Sequence, residues 1–182
     1  MGMFTSNQSC DGSHSLFAPS SAHQLGNSIG VLRQYYNLGV RYVTLAHFCH
    51  NAFADSCGFE VPIEPLHRGL RYARTFFFQS SDAQEYYYIS PLGRSLIEEM
   101  NRLGILVDLS HTSDSTASQA LNYSRAPVIW SHSSARSVYD ASHNIPDDVL
   151  RLIGFGEGQR DAVVMVSYSF VVVTQFITCS IS

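Results

Sequence analysis

The chain has 182 residues, enough for one domain with a real core or for part of a larger one. Its formal net charge is -4, and charged side chains make up 14%, against roughly 25% in an ordinary soluble domain. With no basic patch, nucleic acid is excluded as a partner class.

At the start, "MGMFTSNQSC" has no apolar core and does not read as a secretory signal. It does match the loose Met-Gly-x-x-x-Ser myristoylation pattern, with Gly2 and Ser6 in place. "NSIGVLRQYYNLG" is helical in period and closes on Gly39, and "VRYVTLA" (40–46) follows as a strand. "SPLGRSLIEEMNRLG" is a marked helix. Ser90 caps it, Pro91 suits its first turn, Glu98 and Glu99 face water, and Gly104 ends it. A strand at 105–109 follows at once. "SDSTASQALNYS" is the next helix, capped near Ser113, and 127–131 the next strand. "IPDDVLRLI" starts a helix at Pro146, with Asp147 and Asp148 favourable to its dipole. "AVVMVSY" (162–168) is the last strand. The order βαβαβαβ with wholly apolar strands predicts a parallel sheet covered on both faces.

Residues 162–182 carry no charge and nearly reach the length of a membrane span. Their β-branched content, broken by Ser167, Ser169, Thr174 and Gln175, favours a buried strand. The four cysteines, Cys10, Cys49, Cys57 and Cys179, lack CxxC spacing and read as ordinary thiols.

Eight histidines are many for so uncharged a chain, and three of them share a position. His47 ends the first strand ("VTLAH"), His111 follows the second ("ILVDLSHTS"), and His132 follows the third ("APVIWSHSS"). Sites in parallel α/β folds form at the C-terminal strand ends, so these three imidazoles should converge on one mouth. Neutral imidazoles gathered there suit a divalent metal, zinc above all. Taken singly, each reads better as a helix cap or a partner for buried backbone than as a ligand. Three in register favour a shared site. Asp108 stands beside His111 as either support for a ligand or strand-end structure. His50 reads as a loop histidine.

"GNSIGVLRQYYNLGVRYVTLAHFCHNAFADS", "SPLGRSLIEEMNRLGILVDLSHTS" and "SRAPVIWSHSSARSV" with "NIPDDVLRL" resemble the membrane (renal) dipeptidase family of zinc peptidases, its fungal members in particular. The resemblance covers roughly 23–69 and 90–166. It implies an α/β fold, a (β/α)8 TIM barrel of the metallo-dependent hydrolase type, seen here in part as about four parallel strands with intervening helices. It implies two zinc ions and hydrolysis of dipeptides that have a free C-terminal carboxylate, by attack of a metal-bridging hydroxide on the peptide carbonyl. His111 and His132 match two ligands of one zinc, and His47 matches a histidine that contacts substrate and steadies the tetrahedral intermediate. By the same analogy the assembly is a homodimer, and members are often membrane-associated or exported.

Departures from the family pattern are equally specific. No strand bears the His-x-Asp pair for the other zinc. Ser20 stands where the bridging glutamate is expected, three residues before His23, and His143 stands where an arginine should grip the substrate carboxylate. The late proton-handling aspartate would lie beyond Ser182. The chain thus keeps ligands for only one zinc, and a non-catalytic remnant of the same barrel is the alternative to a working dipeptidase. Another metal-dependent barrel hydrolase, such as an amidase, would need different motifs after each strand.

The expected barrel domain is 23–166, with non-family termini at 1–22 and 167–182. Removing 71–89 joins "EPLHRGL" to "SPLGRSL" as continuous family text. These segments read as translated introns, with a genuine loop insertion at 71–89 as the alternative.

Overall fold

The structure is a computed structural model, and it describes residues 21–58 and 89–166. Ser20 and residues 71–88 and 167–182 lie outside the described residues, as do Phe76–Phe78.

A 3-10 turn at Ala22–Leu25 leads into helix α1, Ile29–Asn37, and strand β1, Tyr42–Thr44. Helix α2 spans Pro91–Leu103 and strand β2 Leu106–Asp108. Helix α3 spans Asp114–Tyr123, strand β3 Val128–Trp130, helix α4 Asp147–Leu150 and strand β4 Ala162–Val164. Each strand sits inside its expected segment but is shorter, although inter-strand bonds continue past the ends, with Leu45 N–H donating to Asp108 O, Leu109 N–H to Ile129 O and Met165 N–H to Trp130 O.

Capping follows the sequence closely. The Ser90 side chain accepts from Gly93 N–H, Pro91 opens α2, and Gly104 ends it at φ 74. Ser113 caps α3 by accepting from Thr116 N–H. Glu99 departs from expectation. It does not simply face water but accepts from Arg33 of α1 at 2.6 Å and from Arg102 at 2.7 Å. Those bonds hold its carboxyl at about 2, below the ordinary 4.5. Cys49 is disulfide-bonded, which corrects the reading of all four cysteines as plain thiols, while Cys57 keeps its thiol.

All four strands are parallel and lie in chain order, β1-β2-β3-β4. The register pairs Val43 with Val107, Val107 with Val128 and Val128 with Ala162, which puts these residues on one face. The helices also neighbour one another in chain order, α1 on α2, α2 on α3 and α3 on α4. They form a single layer. Leu32, Leu96, Ile97, Met100, Ala120 and Leu121 pack with Val43, Leu45, Val107 and Trp130 in one core cluster. Among the described elements helices cover only one face, yet Thr44, Asp108 and Ile129 on the other are buried while Leu106 and Val163 are exposed. Unreversed strand order with helices on one side is the pattern of a (β/α)8 barrel, whose second sheet face points inward.

The opposite face carries Tyr42, Thr44, Leu106, Asp108, Ile129 and Val163 by the same register. Ile89, the one described residue of the supposed insertion 71–89, is buried in the core cluster and bridges to Ala54. That residue lies inside the core, contrary to an excursion running to 89.

Candidate metal centre

The three strand-end histidines do meet. His47 and His111 have ring centroids 4.3 Å apart, His111 and His132 4.9 Å, and His47 and His132 6.2 Å. One nitrogen from each lies within 4.8 Å of the others.

Local folding explains the convergence. After β1 the chain loops back over the end of β2. Asn51 organises this loop by donating to Leu45 O at 2.7 Å and accepting from the N–H groups of Phe53 and Ala54. Ser56 donates to the His47 carbonyl and forms a bridge with Thr112, and Cys57 N–H donates to His111 O at 2.8 Å. His111 adopts φ 60, the left-handed region that a bulky residue rarely enters. Such strain persists where surrounding contacts over-determine it, commonly at functional sites.

The rings are poorly hydrated and close together, so the charged form is disfavoured. Burial first, then its His47, His132 and His143 neighbours, pushes His111 down to about 3. Burial and the His132 charge lower His47, against the opposing pull of Asp108. His132 is lowered mainly by burial. Neutral imidazole is the ligating form.

Two buried nitrogens, His47 Nδ1 and His111 Nδ1, have no hydrogen-bond partner among the described residues. Buried polar atoms are normally paired, so two orphans on adjacent rings of one cluster call for a group that accepts their lone pairs or protons. Three neutral imidazole donors fit a divalent transition metal, zinc included.

His143 also reaches this cluster, stacking on His111 with centroids 5.4 Å apart and planes at 23°. His50 does not join it. Its Nδ1 accepts from Ser56 N–H at 3.2 Å and lies 3.1 Å from Asp55, a loop role.

Around Asp108 lies a network that strand-end reasoning left undecided. Asp108 is fully buried and accepts from Thr44 Oγ1, Ser131 Oγ and the N–H groups of Ser110 and Ser131. No local sequence pattern marks Thr44, Ser110 and Ser131 as its partners. The nearest signal is the serine preceding each histidine in "DLSH" and "WSHSS".

The chain matches the membrane dipeptidase family, peptidase family M19, over residues 3–182. It is 42% identical over 153 residues to dipeptidase aclJ of Aspergillus oryzae, an alignment covering 84% of this chain and 30% of that protein. It is 44% identical over 154 residues to an uncharacterized dipeptidase of Schizosaccharomyces pombe, covering 85% and 31% respectively. With dipeptidase 3 of Mus musculus it shares 40% identity, covering 85% and 27%. The chain therefore spans under a third of the length of these relatives. Among solved structures, an amidohydrolase of Pseudomonas aeruginosa shares the fold at TM-score 0.59 and 23% identity, covering 83% of this chain and 38% of that one. The probable dipeptidase PvdM of Pseudomonas aeruginosa gives 0.57 at 27% identity, covering 82% and 32%. Sequence and fold agree: this chain, an α/β partial barrel, belongs to the membrane dipeptidase family.

Proposed function

We propose that the chain carries part of the zinc centre of a dipeptidase acting on dipeptides with a free C-terminal carboxylate. The observation that carries this reading is the cluster of His47, His111 and His132 at three consecutive strand ends, with two buried nitrogens left unpartnered. In this reading His111 and His132 hold one zinc and His47 faces the substrate. When bound, zinc supplies a Lewis acid for the peptide carbonyl and lowers the pKa of water. The chain's own residues supply the rest. His47, packed edge-on against Phe48 at 4.0 Å, presents a buried nitrogen as a donor to developing negative charge. His143 is stacked over His111 and stands, by the resemblance, in the sequence position of a carboxylate-binding arginine. An imidazole lacks the guanidinium fork, so its grip on a carboxylate is weaker.

A second reading rests on the 4.8 Å spread of the three nitrogens and gives His47 to the metal as a third ligand. His47→Ala separates the two. It leaves zinc affinity unchanged if His47 serves substrate and weakens it if His47 is a ligand.

Two neutral histidines and a serine at position 20 do not supply the charge that holds two dications together. The chain as written is therefore expected to bind one zinc and turn dipeptides over far below the few per second of ordinary enzymes. Assay of the purified chain with excess zinc against a simple dipeptide tests this. Turnover at ordinary rates would show that the missing carboxylates are not required. Zinc binding with no turnover favours the remnant form of the barrel.

We further propose that 71–89 and the termini 1–22 and 167–182 are additions to the barrel, although the matched span of 3–182 runs through them and their boundary residues Ala22 and Ile89 pack in the core cluster. The sequenced transcript decides whether they are coding.

A further inference from the structure

The network under the cluster has a direction that fixes which nitrogen of His132 is free. Ser131 has one hydroxyl proton, and it is committed: Oγ donates to Asp108 Oδ2 at 2.6 Å. His132 Nδ1 lies 2.7 Å from that same Oγ. With the serine proton spent on the carboxylate, the bond to Nδ1 needs its hydrogen from the imidazole. Ser110 Oγ lies 3.3 Å from Ser131 Oγ on the remaining lone pair, and it accepts from the backbone N–H of His132 at 3.1 Å. Asp108 has no proton to lend. All its partners are donors, two on Oδ1 (Ser110 N–H at 3.0 Å, Ser131 N–H at 3.0 Å) and two on Oδ2 (Ser131 Oγ, Thr44 Oγ1 at 2.7 Å).

We infer that Asp108 and Ser131 are positioning residues that set the tautomer of His132. They form a carboxylate–hydroxyl–imidazole relay that places the ring proton on Nδ1 and leaves the Nε2 lone pair for the metal. The inference deepens the proposed zinc site and rests on that reading for its consequence, though not for the tautomer itself. Histidine ligands commonly donate their second ring N–H to a carboxylate or carbonyl, which orients the ring and raises its basicity. Here a serine stands between. The carboxylate is on β2, the relay on the β3 end and the Thr44 donor on β1, so one buried side chain ties three strand ends together. His47 and His111 differ: their Nδ1 atoms are unpartnered among the described residues, and nothing equivalent fixes their tautomers.

The experiment compares the full chain with S131A, S131T and D108N, free of metal, at a pH above the ordinary imidazole range. Long-range 15N–1H spectra report which nitrogen of His132 is protonated, and a zinc titration of each protein follows. The expected result is an Nδ1–H tautomer for His132 in the wild type, lost or mixed in S131A and restored in S131T. Zinc affinity should fall about 10–100-fold in S131A and recover with S131T. D108N is expected to act the same way if it folds, and S131A decides the matter if it does not. An Nε2–H tautomer in the wild type, or an Nδ1–H tautomer unchanged in S131A, overturns the relay. Absence of zinc binding by the wild type overturns the metal site instead, while the spectra still decide the tautomer.

Discussion

His111 shows how a single residue can be read from sequence in position and not in state. Its place after an apolar strand announces it, because a histidine there faces the mouth formed by strand ends. Its left-handed backbone and its depression to about 3 depend on the loop 47–58 folding over β2, which no local pattern reveals. Asp108 makes the same point from the other side. "VDLSH" leaves its role open, and only the strand register brings it against Thr44 and Ser131. The ligand assignment predicts that His111→Ala and His132→Ala each abolish tight zinc binding, whereas His50→Ala changes it less than twofold. Calorimetric titration checks this. Equal losses at His50 would mean that the cluster is not the site.

Helix α2 was legible almost residue by residue because its signals are local: a serine cap, proline at the first turn and glycine at the end. What sequence could not show is how closely it approaches the loop after β1. A Cβ on Gly93 would run into the Phe53 carbonyl oxygen and the Ile89 side chain. Gly93→Ala is therefore expected to destabilise the fold by about 1–3 kcal/mol, the usual cost of overpacking, despite alanine's better helix propensity. Urea unfolding measures it, and a stabilised variant would contradict the packing described here. The Arg33–Glu99–Arg102 cluster joins α2 to α1 across the surface. Glu99 is lowered in the folded state, so its contribution is complete above about 4.5 and is lost as pH falls through about 2. Both arginines are exposed, so screening limits it to about 0.5–1 kcal/mol. Glu99→Gln should lower stability by that amount at neutral pH, and by progressively less as acid titration proceeds below about 4.5.

For the whole molecule, chain order and strand composition gave the parallel sheet and the common position of the histidines. The single-sided helix layer was not legible, because apolar strands look alike whether helices or a barrel interior cover the second face. Strands β1 and β4 each lack a further sheet neighbour among the described residues. On β4 and just beyond it Val163, Met165 and Val166 are 55%, 45% and 60% exposed. Unpaired apolar edges invite association, so the purified chain is expected to self-associate with rising concentration, and Val163→Lys to reduce this in light scattering. Indifference to that change would remove the edge from the account. Family membership and the histidine cluster meet in the proposed function: His111 and His132 of this partial barrel hold one zinc. Zinc titration of the full chain, with stoichiometry read directly, tests it most plainly. The account predicts one zinc per chain, lost in the His111→Ala, His132→Ala double variant while the far-ultraviolet circular dichroism is retained. No zinc bound by the folded wild type, or the same zinc bound by the double variant, would contradict it.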